Sequence, residues 1–160
     1  MRTLRTCIMI LALGSIALSC EKDDDFTQVS AFENALHNEV NKYRKDNGFE
    51  KDLVLQYIMV KEAQAHAVGL ANGSITDPSA DMNERWQTVE NKLGVNNISN
   101  EAYFSYQTNT EDAAAVVAAL AADSVGLIIL KGDYTQSGPG VGKTSDGRIY
   151  IMHMLCKYTN

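Results

Sequence analysis

Gly48, Gly73 and Gly94 each close a run of apolar residues spaced three or four apart, and this punctuation divides residues 31–94 into three helices. Ser30-Ala31-Phe32-Glu33 opens the first as a capping box, with Ser30 as N-cap and Glu33 reaching back to its N–H. Phe32, Leu36, Val40 and Tyr43 then share one face, which predicts a helix from about Ala31 to Asn47. Met59, Ala63, His66 and Leu70 mark a second that ends at Asn72-Gly73, and Trp86, Val89 and Leu93 a third. A fourth is expected from Thr108 or Thr110 to about Asp123, with Glu111 and Asp112 in its first turn, where negative charge suits the helix dipole. Its alanine-rich stretch 113–122 predicts close packing on a sheet.

Strand signals are fewer. Asn100 to Tyr106 alternates, with Ala102, Phe104 and Tyr106 on one side. Gly138 to Lys143 and Arg148 to Lys157 flank Ser145-Asp146-Gly147, a hairpin signal. Helices on both faces of a small, mostly antiparallel sheet follow, an α/β architecture.

The N-terminus reads as an export segment. Arg2 and Arg5 precede an apolar run from Cys7 to Leu18, shorter than the roughly 20 residues of a spanning helix. Ala17-Leu18-Ser19-Cys20 resembles a bacterial lipobox, so residues 1–19 are expected to be a signal peptide and Cys20 the lipidated residue. Residues 20–29 form an acidic tether, and Glu21-Lys22-Asp23-Asp24-Asp25 resembles the surface-export signal of some Bacteroidetes lipoproteins. An outer-membrane lipoprotein facing the cell exterior is expected, with the periplasmic side as second choice. The net charge of −6 becomes more negative once Arg2 and Arg5 leave, which argues against a nucleic-acid partner. Cys156 is then left without a partner, so no disulfide framework is expected in residues 30–160, the single folded domain.

Three chemical readings fail on context. Ser137-Gly138-Pro139-Gly140-Val141-Gly142-Lys143-Thr144 approaches a phosphate-binding loop, but the Asp146-Gly147 turn follows it where a helix is required. His66 falls on the apolar stripe of the second helix and reads as a core histidine; His37 borders the first stripe and is expected at the surface. His153 and Cys156 lie on opposite faces of a strand, so no zinc site is expected. No serine or cysteine has an assignable base, and Cys156 reads as a buried small hydrophobe.

Four stretches, in order, resemble one family. They are Asn41-Lys42-Tyr43-Arg44 with Asn47-Gly48; Ala63-Gln64-Ala65-His66; Asn83-Glu84-Arg85; and Gly132-Asp133-Tyr134-Thr135 running through Gly140-Val141-Gly142 to Asp146-Gly147-Arg148-Ile149-Tyr150. Residues 36–160 thereby resemble the CAP superfamily of cysteine-rich secretory, antigen 5 and pathogenesis-related proteins, in its short bacterial form. The resemblance implies a three-layer α-β-α sandwich and a cleft holding two histidines and a glutamate, sometimes with a divalent metal. Glu101 matches that glutamate. Leu127 stands where one histidine is usual, and Thr76 or Asp77 where the other is. Asp77 with Glu101 would suit a hard cation; the simpler reading makes Glu101 a hydrogen-bonded structural carboxylate. With the histidines gone, the expectation is a non-catalytic binding or interaction module without cofactor or metal, taking a lipid, glycan or protein ligand and touching the membrane through its anchor alone. The alternatives are a weak peptidase- or nuclease-type hydrolase using Glu101, and a structural envelope protein.

Overall fold

The computed structural model describes residues 28–159. The signal segment, Cys20 and most of the 20–29 tether lie outside the described residues.

The elements in chain order are α1 (Ala31–Asp46), β1 (Val54–Leu55), α2 (Tyr57–Asn72), α3 (Met82–Leu93), β2 (Ile98–Thr108), α4 (Ala113–Ala122), α5 (Ser124–Leu130), β3 (Gln136–Lys143) and β4 (Ile149–Tyr158). The sheet order is β1-β3-β4-β2, with β1 parallel to β3 and the other pairs antiparallel. The alternation of β4 sorts the two cores. Ile149, Ile151 and Leu155 join Phe32, Leu36, Val40 and the α4–α5 side chains on one face. Met152, Met154 and Cys156 join Met59, Ala63, Ala67 and Trp86 of α2 and α3 on the other. This is the expected three-layer sandwich.

The capping box forms: Ser30 Oγ accepts from the N–H of Glu33, and the N–H of Ser30 donates to Glu33 Oε2 at 2.7 Å. Glu33 is buried, and its carboxylate also accepts from Gln64 Nε2 at 2.9 Å and from the N–H of Val141 at 3.0 Å. One side chain thus closes α1 and ties it to α2 and β3. Arg44, in the last turn of α1, is buried and donates to the carbonyls of Leu130 and Gly132 at 2.9 and 2.8 Å beneath the ring of Phe49.

The closest layer contact is made by glycines. Gly138, Gly140 and Gly142 alternate along β3, so they present one face, and Met59, Ala63 and Ala67 of α2 lie against it at a spacing of four. A Cβ on Gly140 would sit 2.1 Å from the backbone of Ala63 and Gln64. The helix therefore rests on the bare strand.

Four expectations need correction. The fourth helix starts at Ala113, capped by Asp112, and stops at Ala122. Asp123 then caps a separate helix, α5, accepting from the N–H groups of Val125 and Gly126. The α4–α5 corner bends by 112°, and Gly126 permits it, because a Cβ there would lie 2.4 Å from the carbonyl oxygen of Leu120. Ala114, Ala115, Ala118 and Ala122 face solvent, while Val116, Val117 and Leu120 are buried. The alanine-rich helix packs on α1 and α5, and the predicted tight seat on the sheet belongs to α2 instead. Finally, His37 is buried against β3 and not at the surface. β1 carried no readable signal because it is two residues long. Residues 137–143 lie within β3 and lead into the Gly147 turn (φ +88°), as the rejection of a phosphate loop required.

Candidate functional site

Glu101 sits in the irregular start of β2. The pairing of β2 with β4 shifts register between Ser99 and Ala102, and Asn100 adopts φ +50°. Such a bulge re-aims side chains. Here it places Glu101 near Glu90 of α3. Partial burial first, then the charge and hydrogen bond of Glu90, push the Glu101 carboxyl above its usual range.

Glu90 was missed in the sequence. It lies four residues after Trp86 and next to Val89, so it borders the buried stripe of α3, which was its one readable signal.

The remaining predicted cleft residues come from other elements. Thr76 and Asp77 are exposed in the turn after α2, and Asp77 Oδ1 accepts from both the N–H and the hydroxyl of Ser79, at 2.9 and 2.8 Å. Those bonds hold its carboxyl below the ordinary range. Ser79 thus occupies one oxygen of the Asp77 carboxylate. Leu127 lies in the middle of α5, half-buried. Two carboxyls alone fall short of the six to eight oxygens that calcium takes, and among the described residues no three His, Cys, Asp or Glu side chains are grouped to hold a metal.

The structure also creates a serine–histidine contact. His37 Nδ1 lies 2.8 Å from Ser137 Oγ, with both residues buried. The orientation of Asn41 is set by a two-way clamp on Leu53: its Oδ1 accepts from the N–H and its Nδ2 donates to the carbonyl. Asn41 Nδ2 is also 3.2 Å from His37 Nε2, which makes Nε2 the acceptor and Nδ1–H the donor to Ser137. An imidazole that donates to the serine cannot take its proton, so the pair is structural. His66 is the core histidine the stripe predicted, with Nδ1 3.0 Å from Asp81 Oδ1. The Cys156 thiol is buried and raised to about 12, by burial and by the charge of Glu101, which leaves it unreactive.

The grooves lie elsewhere. One of about 730 Å³ runs between the α1–β1 loop and the ends of β3 and β4, lined by Arg44, Phe49, Asp52, Tyr134, Lys157 and Tyr158 among others. Another, of about 400 Å³, separates β2 from the α4–α5 corner. Neither includes Thr76, Asp77, Glu101 or Leu127.

Glu101→Gln is expected to raise the unfolding free energy at pH 7 by roughly a few tenths of a kcal/mol once solvent screening is allowed for, and with it the urea midpoint slightly. The sign follows from the raised pKa: the native state binds the proton more tightly, so wild-type stability declines as pH rises through that value. The variant loses this decline. A lower midpoint for Glu101→Gln would show that the carboxylate is a needed hydrogen-bond partner instead.

No protein-family model and no curated protein sequence matches the chain. Solved structures do. An outer surface protein from Borrelia burgdorferi is 14% identical with a TM-score of 0.66, over 83% of this chain and 97% of that one. An extracellular SCP-domain protein from Bacillus anthracis is 14% identical with a TM-score of 0.58, over 81% of this chain and 45% of that one. Venom allergen-like protein 4 from Schistosoma mansoni is 13% identical with a TM-score of 0.57, over 82% and 92%. The helix layers, the sheet order and these likenesses together show that the chain has the fold of the CAP superfamily.

Proposed function

We propose that this chain is a lipid-anchored, non-catalytic binding module displayed at the cell envelope. The observation that carries the reading is that none of the positions corresponding to the CAP cleft, Thr76, Asp77, Glu101 and Leu127, lines either of the two grooves. General acid–base chemistry needs its groups to converge on a reacting atom. Glu101 faces another carboxyl, and the Ser137–His37 pair is buried and oriented the wrong way.

The 730 Å³ groove is the candidate binding face. Phe49, Tyr134 and Tyr158 supply aromatic faces beside Lys51, Asp52, Asp133 and Lys157. Flat apolar surfaces edged by charges of both signs suit a ligand with an apolar face and a hydroxyl- or amide-rich rim, hence a glycan or a peptide before a lipid. Likenesses to a Borrelia outer surface protein and a Bacillus extracellular protein support an exported setting.

Screening against peptides, nucleic acids and esters should give no turnover that depends on Glu101. Glycan and peptide arrays should give a ligand whose affinity falls about tenfold in Tyr158→Ala, the loss of one aromatic contact. Turnover abolished by Glu101→Ala would establish the hydrolase reading instead. Binding of nothing on either array would favour a structural envelope role. The anchor has a separate test: Cys20→Ala should move the protein from membrane to soluble fractions or leave it as unprocessed precursor, and wild-type protein found soluble and unlipidated would refute it.

A further inference from the structure

The two edges of the sheet are treated unequally. β1 is two residues long and follows Glu50-Lys51-Asp52, so that edge is short and charged. β2, the other edge, runs regularly from Ala102 to Thr108 past its bulge, about 23 Å of strand. This stretch, Ala-Tyr-Phe-Ser-Tyr-Gln-Thr, holds no charge, proline or glycine, the devices that normally stop an edge from pairing. Among the described residues no backbone hydrogen bond from outside the sheet reaches it.

The 400 Å³ groove follows the same edge. Four consecutive strand residues, Tyr103 to Tyr106, line it. Successive side chains point to opposite faces, so a cavity touching all four meets the strand along its backbone edge. The far wall is apolar, formed by Leu120, Val125, Gly126 and Ile129. Its acid, Asp123, is occupied in capping α5. A lipid tail would fill the groove but leave the strand's N–H and C=O groups without partners. An extended polypeptide satisfies both.

We infer that the strand docked there is β2 of a second copy of this chain, joining two four-stranded sheets into one across a two-fold axis at Ser105. Antiparallel pairing about that axis sets Phe104 against Tyr106, Tyr103 against Gln107 and Ala102 against Thr108. The first is an aromatic cross-strand pair of the kind that stabilises sheets. Charge decides for self-association at this edge: a chain of net charge −6 meets its copy with least repulsion where neither presents a charge, and Ala102–Thr108 presents none. The axis stands normal to the sheet and keeps both α4–α5 layers on one face. The two α5 helices then approach each other, covering Val125 and Ile128, which are 62% and 72% exposed in the single chain. A lone foreign strand would reach Val125 in the groove wall but leave Ile128 uncovered. Seven paired residues with a helix contact fall at the low end of interface sizes, so the dimer forms reversibly, with a dissociation constant on the order of micromolar.

The axis predicts a register-specific cross-link. Directly opposed residues of antiparallel strands have Cβ atoms about 5 Å apart, so the full chain carrying Ser105→Cys, expressed in an exporting host and mildly oxidised, should run mainly as a covalent dimer on a non-reducing gel. Thr108→Cys, about 20 Å from its equivalent in this register, and Val54→Cys on the other edge should stay at the background of the unsubstituted chain. Detergent-extracted wild-type chain should sediment as a concentration-dependent dimer, and Ser105→Lys, which opposes two cations at the axis, should sediment as a monomer with an unchanged circular dichroism spectrum and a thermal midpoint that no longer rises with concentration. Ser105→Cys that is accessible to a maleimide yet stays monomeric overturns the proposal. So does equal cross-linking through Thr108→Cys, or wild-type chain that remains monomeric at about 100 µM, well above that dissociation constant. None of these outcomes depends on which ligand the 730 Å³ groove takes.

Discussion

Gly140→Val is expected to unfold this protein, or to lower its unfolding free energy by at least about 4 kcal/mol, the range reserved for gross core overpacking. The first atom of any side chain at 140 would lie 2.1 Å from the carbonyl carbon of Ala63 and the backbone nitrogen of Gln64. Those are backbone atoms in the middle of α2, and no rotamer change moves them. α2 would have to lift off β3 along its length, breaking contact with the core of Met59, Ala63, Ala67, Met152 and Met154 that the helix covers. Against a typical total stability of roughly 5–15 kcal/mol, that loss is close to complete. Gly142→Val should behave alike, since its added Cβ would meet the Ala67 carbonyl oxygen at 2.1 Å. Gly48→Ala is the control. Gly48 has φ +91° and open space around it, so only backbone strain is added, about 1 kcal/mol. Urea titrations of the three variants distinguish the two mechanisms, and a Gly140→Val protein with a near-wild-type midpoint would refute the direct helix-on-strand contact.

The second large effect is a loss of stability in acid traceable to one ring. His153 is wholly buried in β4, its ring 5.0 Å from that of Phe104, and neither ring nitrogen has a partner among the described residues. Burial, aided by the nearby His37, lowers it from 6.5 to about 3. The folded protein thus holds a neutral ring where the unfolded chain would protonate it. Below pH 6.5 the unfolded state binds more protons than the native state, so stability falls as pH drops from 6.5 toward 3 and is fully present above 6.5. With each unit worth about 1.4 kcal/mol, the loss reaches about 3 kcal/mol by pH ~4. His37, also lowered by burial, contributes in the same direction, with the charge of Asp52 opposing it. Midpoints measured from about pH 7.5 to about pH 4 should decline steeply in wild type and much less in His153→Phe, which keeps a ring facing Phe104. Parallel profiles for the two proteins would show that His153 is not the group responsible.

The parts of the fold legible in the sequence were those whose cause is local. Ser30 and Glu33 are three residues apart, and the box they form appears as read. Gly73 takes φ +79° at the end of α2 for the reason any chain needs glycine there. The closing hairpin follows from the Asp146-Gly147 turn between residues 138–143 and 148–157. The site was legible only in part. Glu101 could be matched by its place in a motif, but its partner Glu90 lies in a different element and is met only because a bulge at Asn100 rotates the strand. The local bond from Ser79 to Asp77, two residues apart, likewise had no signal of its own in the sequence.

Sequence alone therefore determined the number and ends of the first three helices, the hairpin, the α/β layering and the absence of a histidine at position 127, since each rests on residue identity or on spacings of a few residues. Only the tertiary structure decided that His37 is buried under Ser137, that Asp123 starts a new helix instead of ending an old one, that glycines 138, 140 and 142 exist to admit α2, and that β2 is left as an open edge. Each of these depends on what lies across from a residue, and a partner up to a hundred positions away, as Ser137 is from His37, leaves no periodic trace in the chain.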